Sequence, residues 1–201
     1  MNQPLKRVRV IKLGGSLLTM PNLKEKFHRW CAANPHPLTL IIVGGGEVVD
    51  AIREVHRSNS LDESFAHWLC IDLLKHTARL AHHIIGDVEL YETRDDLQQP
   101  FSGSKKNSKT PIIAIVQVGT CFARDFPHLG LPNRWDVTSD SLAAAFCQMY
   151  AADELVMMKS SNPASGVEDS LRLADTGFVD PHFEDLAEEI EKVRFVNLRT
   201  Y

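Results

Sequence analysis

The apolar residues of this chain gather in short blocks that stop abruptly at glycine. Residues 8–13 read as a strand ended by Gly14 and Gly15, and residues 38–43 as a continuous apolar strand ended by Gly44, Gly45 and Gly46. Runs of the second kind suit strands buried on both faces of a parallel sheet. Between them, residues 22–33 place Leu23, Phe27 and Trp30 on one helical face before Pro35 and Pro37 break the chain. Residues 47–57 again have helical spacing. The first 57 residues therefore predict strand, glycine turn and helix twice over, the alternation of an α/β fold.

Residues 61–85 form the longest predicted helix, opening with Asp62 and Glu63, where negative charge suits a helix N-terminus. Phe65, Trp68, Leu69, Ile71, Leu73, Leu74 and Leu80 make it apolar on more than one face. Such a helix is buried inside the fold or against a partner subunit. Residues 95–111 are rich in Ser, Lys and Gly and read as a mobile surface loop. A strand over 112–118, a helix over 138–151 capped by Thr138 or Ser139, and a strand over 155–158 ending at Lys159 follow. Residues 160–177 look irregular, 182–192 helical, and 195–198 form a last short strand. The expected architecture is α/β, an open, mainly parallel twisted sheet sandwiched by helices, in one domain over residues 1–201.

Composition narrows the function. The chain has 201 residues, 44% hydrophobic and 24% charged, the balance of an ordinary soluble domain able to bury a core without disulfides or metal. Its net charge of −4 lacks the basic excess of a general nucleic-acid binder. The four cysteines, Cys31, Cys70, Cys121 and Cys147, are far apart with no metal spacing, which points to a reduced, cytoplasmic protein. No apolar run approaches the roughly 20 residues that span a bilayer, and the N-terminus has no signal-peptide pattern.

Three predicted strands end in polar or glycine-rich turns: Lys12-Leu13-Gly14-Gly15-Ser16, Val43-Gly44-Gly45-Gly46 and Met158-Lys159-Ser160. In an open α/β sheet, ligands bind beyond the carboxyl ends of the strands. Glycine turns there bring backbone N–H groups close to an anion, and the next helix adds partial positive charge. Two such turns can hold two anions facing each other, with Lys12 and Lys159 neutralising charge between them. Phosphoryl transfer needs that arrangement, because its catalysis is positioning plus electrostatics. Asp140 either pairs with the two lysines or merely charges the first turn of its helix. The P-loop, dinucleotide and nucleophile-elbow motifs are all absent from the sequence.

Taken in order, Val10-Ile11-Lys12-Leu13-Gly14-Gly15-Ser16, Ile42-Val43-Gly44-Gly45-Gly46 and Thr138-Ser139-Asp140-Ser141-Leu142-Ala143 resemble the amino acid kinase family. That family includes acetylglutamate, aspartate, uridylate and isopentenyl phosphate kinases and has the carbamate kinase-like fold. Ala66-His67-Trp68, Trp135-Asp136-Val137-Thr138 and Gly177-Phe178-Val179-Asp180 are further similar to one branch, the archaeal-type aminomethylfuran-methyl phosphate kinases of methanofuran biosynthesis and one-carbon metabolism. The resemblance implies an acceptor-binding part over about 1–118 and a nucleotide-binding part over about 119–201.

It implies roles as well. Lys12 would stabilise the transferring phosphoryl group, with Gly14, Gly15 and Ser16 on the nucleotide phosphates and Lys159 and Ser160 beside the nucleotide. Gly44, Gly45, Gly46, Arg53, His67 and Thr138 would hold a small phosphate-bearing acceptor, and Asp140 would organise the lysines. The implied cofactors are ATP and Mg²⁺, the metal held by phosphates and water without a protein ligand. A homodimer or higher homo-oligomer is expected, with no nucleic-acid or membrane partner. The sequence departs from the family where Lys159 is followed by Ser160-Ser161-Asn162-Pro163, and where residues 176–181 lack a late lysine. These departures keep a non-catalytic nucleotide- or metabolite-binding protein as one alternative. A uridylate-type kinase is the other.

Overall fold

A computed structural model describes residues 7–102, 110–121, 131–163 and 173–201. Its frame is one six-stranded sheet in which every pairing is parallel. The strands are β1 (Val8–Leu13), β2 (Leu38–Val43), β3 (Glu89–Tyr91), β4 (Ile112–Val116), β5 (Glu154–Lys159) and β6 (Val193–Asn197), in the spatial order β3-β4-β2-β1-β5-β6. Beside them lie helices α1 (Leu23–Ala33), α2 (Glu47–Asn59), α3 (Glu63–Ile85), α4 (Arg94–Gln98), α5 (Val118–Cys121), α6 (Ser139–Met149) and α7 (Phe183–Ala187).

Strand periodicity divides the core into two layers. Val10, Leu40, Ile42, Val116, Leu155 and Met157 face one way and meet α6 and the start of α3. Ile11, Leu13, Ile41, Val43, Ile115, Val156 and Met158 face the other way and meet Phe27 and Trp30 of α1. The long helix α3 serves both. Trp68, Ile71 and Leu74 join the first layer, while Ala78, Ala81 and Ile85 join the second. This accounts within one chain for its apolar character on several faces, and leaves Phe65 and Leu80 exposed. Asp62 starts the helix by accepting from Phe65 N at 2.8 Å, and Gly86, with φ +59°, ends it.

Several sequence expectations need correction. The strand predicted over 112–118 ends at Val116, because Gln117 N turns to Tyr91 O and Val118 begins α5. Residues 94–101 are folded where a loop was expected. Thr93 and Asp96 form a reciprocal capping box for α4, and a 3₁₀ turn follows that buries Pro100. The Ser/Lys-rich remainder at 103–109 and residues 164–172 lie outside the described residues, while residues 160–163, where the sequence departs from the family, lie within them. The helix predicted over 182–192 is only α7, with turn and coil after it, and the last strand, predicted over 195–198, is β6 and begins at Val193. The short strand β3 had no signal in the sequence.

Candidate active site

The C-terminal ends of β1, β2 and β5 lie side by side, so their turns converge. Gly44 N donates to Leu13 O at 2.8 Å and Gly14 N to Met158 O at 2.9 Å, stitching the three turns together. The two glycine turns touch through their backbones. A Cβ on Gly15 would overlap Gly46, and Gly46 itself has φ +55°, a conformation that favours glycine. Ser16 Oγ and Ser160 Oγ lie 2.9 Å apart, closing the β5 side. The N-termini of α2 and α6, whose first N–H groups have no partner within the helix, meet at the same place.

These elements enclose a cavity of about 560 Å³. Lys12, Gly14, Gly15, Ser16, Gly44, Gly45, Gly46, Arg53, Thr138, Asp140, Lys159 and Ser160 all line it. His67 is not among the lining residues. It is buried, with Nδ1 2.8 Å from Arg134 O and its ring edge-on to Trp68, so it braces the segment that presents Trp135. The far wall is apolar, formed by Val49, Ile71, Leu74, Trp135, Val137 and Leu142. Arg53 enters from α2, its Nη1 2.7 Å from Asp50 Oδ1.

At the centre is a buried line of three charges. Lys12 Nζ lies 2.7 Å from Asp140 Oδ1, and Lys159 Nζ lies 2.7 Å from Asp140 Oδ2. Strand alternation aims Lys12 to the same side as Val8 and Val10, the side that α6 covers. The two sequence readings of Asp140 are both correct in part: it sits in the first turn of α6 and bridges the lysines. Burial works to raise its carboxyl pKa, but the two ammonium groups outweigh burial and hold it below the usual carboxylate range. Burial and the neighbouring Lys12 push Lys159 down to about 8, against the pull of Asp140. The line carries two positive charges and one negative, so it is poised for an anion.

Two residues of this site gave no signal as spacing along the chain. Phe178 O accepts from Lys159 Nζ at 2.8 Å, and the Phe178 ring centroid is 5.2 Å from the same atom. Asp180 is buried and accepts hydrogen bonds from the first turn of α6. Both belong to a turn that follows α6 by some 30 residues or more, so only the folded chain brings them in.

No protein-family model matches the chain. It is 24% identical over 151 residues to the 5-(aminomethyl)furan-3-yl methyl phosphate kinase of Methanocaldococcus jannaschii. That match covers 74% of this chain but only 63% of the relative, so the chain spans just under two thirds of the relative's length. Among solved structures, UMP kinase from Ureaplasma parvum superposes with a TM-score of 0.63 at 15% identity, covering 96% of this chain and 91% of that one. This is the amino acid kinase fold. Uridylate kinase from Archaeoglobus fulgidus shares it, with a TM-score of 0.59 at 15% identity over 96% of this chain and 92% of that one. The expected amino acid kinase fold is therefore met by a sheet that is parallel throughout its described strands.

Proposed function

We propose that this chain is an ATP-dependent small-molecule kinase that transfers the γ-phosphoryl group to a phosphate monoester. The observation that carries the reading is the Lys12–Asp140–Lys159 line set between two abutting glycine turns. An acceptor oxygen attacks the γ-phosphorus, a new P–O bond forms, and the bond to the bridging oxygen breaks with its electron pair leaving on ADP. Charge spreads over the equatorial oxygens of the group in flight, where the two ammonium groups meet it. A phosphate monoester is largely unprotonated at neutral pH, so it needs no general base. That agrees with Asp140, whose oxygens are both committed to lysines.

Gly44, Gly45, Gly46 and Arg53 would hold the acceptor's phosphate, and the apolar wall suits a compact ring beyond it. An aminomethylfuran-methyl phosphate has that shape and chemistry, and a kinase of that compound is the curated relative. Gly14, Gly15, Ser16 and Ser160 would take the nucleotide phosphates. Among the described residues there is no cluster of three or more His, Cys, Asp or Glu that fits a metal. A Mg²⁺ bound with the nucleotide would neutralise phosphate charge, held by phosphate oxygens and water.

The test is ADP release from Mg-ATP across aminomethylfuran-methyl phosphate, UMP, isopentenyl phosphate, aspartate and acetylglutamate. Turnover of any of the phosphate monoesters supports the proposal, and preference for the furan phosphate supports that acceptor. Rapid phosphorylation of UMP would make the chain a uridylate-type kinase, and ATP binding with no turnover would make it a binding protein.

Two further results follow from this reading. Lys159 must carry its proton to meet the phosphates, so kcat/KM for Mg-ATP is expected to fall as pH rises through about 8. Bound phosphates favour the ammonium form, so kcat should hold to higher pH. A flat kcat/KM across that range would contradict the role. A homodimer or higher homo-oligomer is also expected, with Phe65 and Leu80 of α3, 55% and 49% exposed, in the contact. Light scattering at micromolar concentration should give at least twice the chain mass, and Leu80→Glu should lower it. A monomeric wild-type mass would refute the assembly. Among the described residues no helix is long and apolar enough to cross a membrane.

A further inference from the structure

We propose that Asp180 is a positioning residue, a remote cap that fixes the start of α6 and thereby sets where Asp140 holds the two ammonium groups. Asp180 is 6% exposed. Its Oδ2 accepts from Thr138 N at 3.0 Å, Thr138 Oγ1 at 2.7 Å and Ser141 N at 3.0 Å. Its Oδ1 accepts from Ser141 Oγ and from His182 N, the latter at 3.0 Å.

The need for such a residue follows from burial. Every residue of α6 from Ser139 to Cys147 is buried, so little water reaches the N–H groups of its first turn. An ordinary cap serves them with its own side chain. Here Thr138 Oγ1 accepts from Asp140 N at 3.2 Å and its hydroxyl donates in turn to Asp180 Oδ2, which also accepts from Ser141 N. The backbone on both sides of Asp140 is thus tied, directly or through one hydroxyl, to a single carboxylate. Two residues earlier, Phe178 O takes the Lys159 ammonium at 2.8 Å. One short turn therefore holds both the helix that carries Asp140 and the lysine that Asp140 pairs. Asp180 also lines the cavity, but the five hydrogen bonds of its carboxylate go to that first turn and to His182, so it acts on the two ammonium groups through the backbone.

The test is Asp180→Asn. The amide keeps the volume but replaces one acceptor oxygen with a donor, which faces donors from Ser141 and His182. The activity arm rests on the kinase reading. There kcat should fall about 100-fold, the cost of an ångström-scale misplacement, with KM for both substrates nearly unchanged. A kcat like wild type, or a loss confined to KM, would overturn the proposal. The second arm is independent of turnover. The Lys159 ammonium resonance, identified by its loss in Lys159→Arg, should move or broaden in folded Asp180→Asn as observed by ¹⁵N NMR. An unmoved resonance would overturn the proposal too. If wild type turns over no acceptor while the resonance moves, the kinase reading fails and the positioning role stands. Should Asp180→Asn not fold, Ser141→Ala removes one hydroxyl and keeps the backbone donor. It should lower kcat roughly tenfold and move the same resonance, and no effect on either would overturn the assignment.

Discussion

Lys12→Ala is expected to lower turnover by at least about 10³-fold while leaving the fold intact, since removing a cation from a phosphoryl transition state costs on that order. The lysine stands at the end of β1, between the two strands that supply the other turns, and its ammonium faces the cavity from 2.7 Å beyond Asp140 Oδ1. Its side chain is 8% exposed, so little water competes for the charge. Truncation removes a positive centre that no neighbour replaces, because Lys159 is held back by Asp140 and Phe178 O. The fold should survive for the same reason. Asp140 keeps Lys159 as its counter-charge, the space left opens onto the cavity, and the apolar residues of β1 are untouched. The stability loss should be about 1 to 3 kcal/mol, the cost of one charged hydrogen-bonding partner. Steady-state ADP release and chemical unfolding check both halves. Wild-type turnover in a folded variant would end the proposed mechanism.

The parts of this site that the sequence shows are those set by local physics. The three strand ends are legible because apolar runs stop at glycine or lysine and the chain cannot continue as strand there. Lys12 and Lys159 are legible because each ends such a run, and ligands in this kind of sheet gather at those ends. Asp140 was legible only as a charge at a helix start, with its partner undecided, because pairing across the sheet leaves no mark in spacing. The capping box Thr93–Asp96 was missed because the Ser-, Lys- and Gly-rich composition of residues 95–111 reads as loop. Phe178 and Asp180 entered only through the resemblance carried by Gly177-Phe178-Val179-Asp180, which gave neither of them a role. Asp180 lies 42 residues beyond Thr138, and a carboxylate or a backbone carbonyl that reaches so far has no periodicity to reveal it. His67 is the converse case: the resemblance puts it with the acceptor, and the fold buries it with Nδ1 2.8 Å from Arg134 O, off the cavity wall.

Asp140→Asn should damage both activity and stability, and the two losses should separate with pH. The carboxylate is the one negative charge between two buried ammonium groups, and the amide cannot replace it. Turnover should fall on the order of 10²–10³-fold, the scale for loss of a preorganised electrostatic group. At neutral pH the folded protein should lose up to about 3 to 5 kcal/mol, as expected when buried charges lose their partner. Burial and Lys12 already push Lys159 down to about 8 with Asp140 pulling the other way, so without Asp140 it falls further. The unfolded chain then binds more protons than the folded one from that lowered pKa up to the ordinary lysine value. Stability of the variant therefore rises with pH across that window. The wild-type carboxylate acts in the same direction but in a lower window: its pKa is depressed, so its contribution is present above the ordinary carboxylate range and lost as pH falls through the folded value. Denaturant unfolding at about pH 6 and about pH 9 separates these. The gap between wild type and Asp140→Asn should be wide at the lower pH and narrower at the higher, as Lys159 sheds its proton instead of standing unpaired. An unchanged gap with turnover retained would mean that the three charges stabilise the fold without forming the reaction centre.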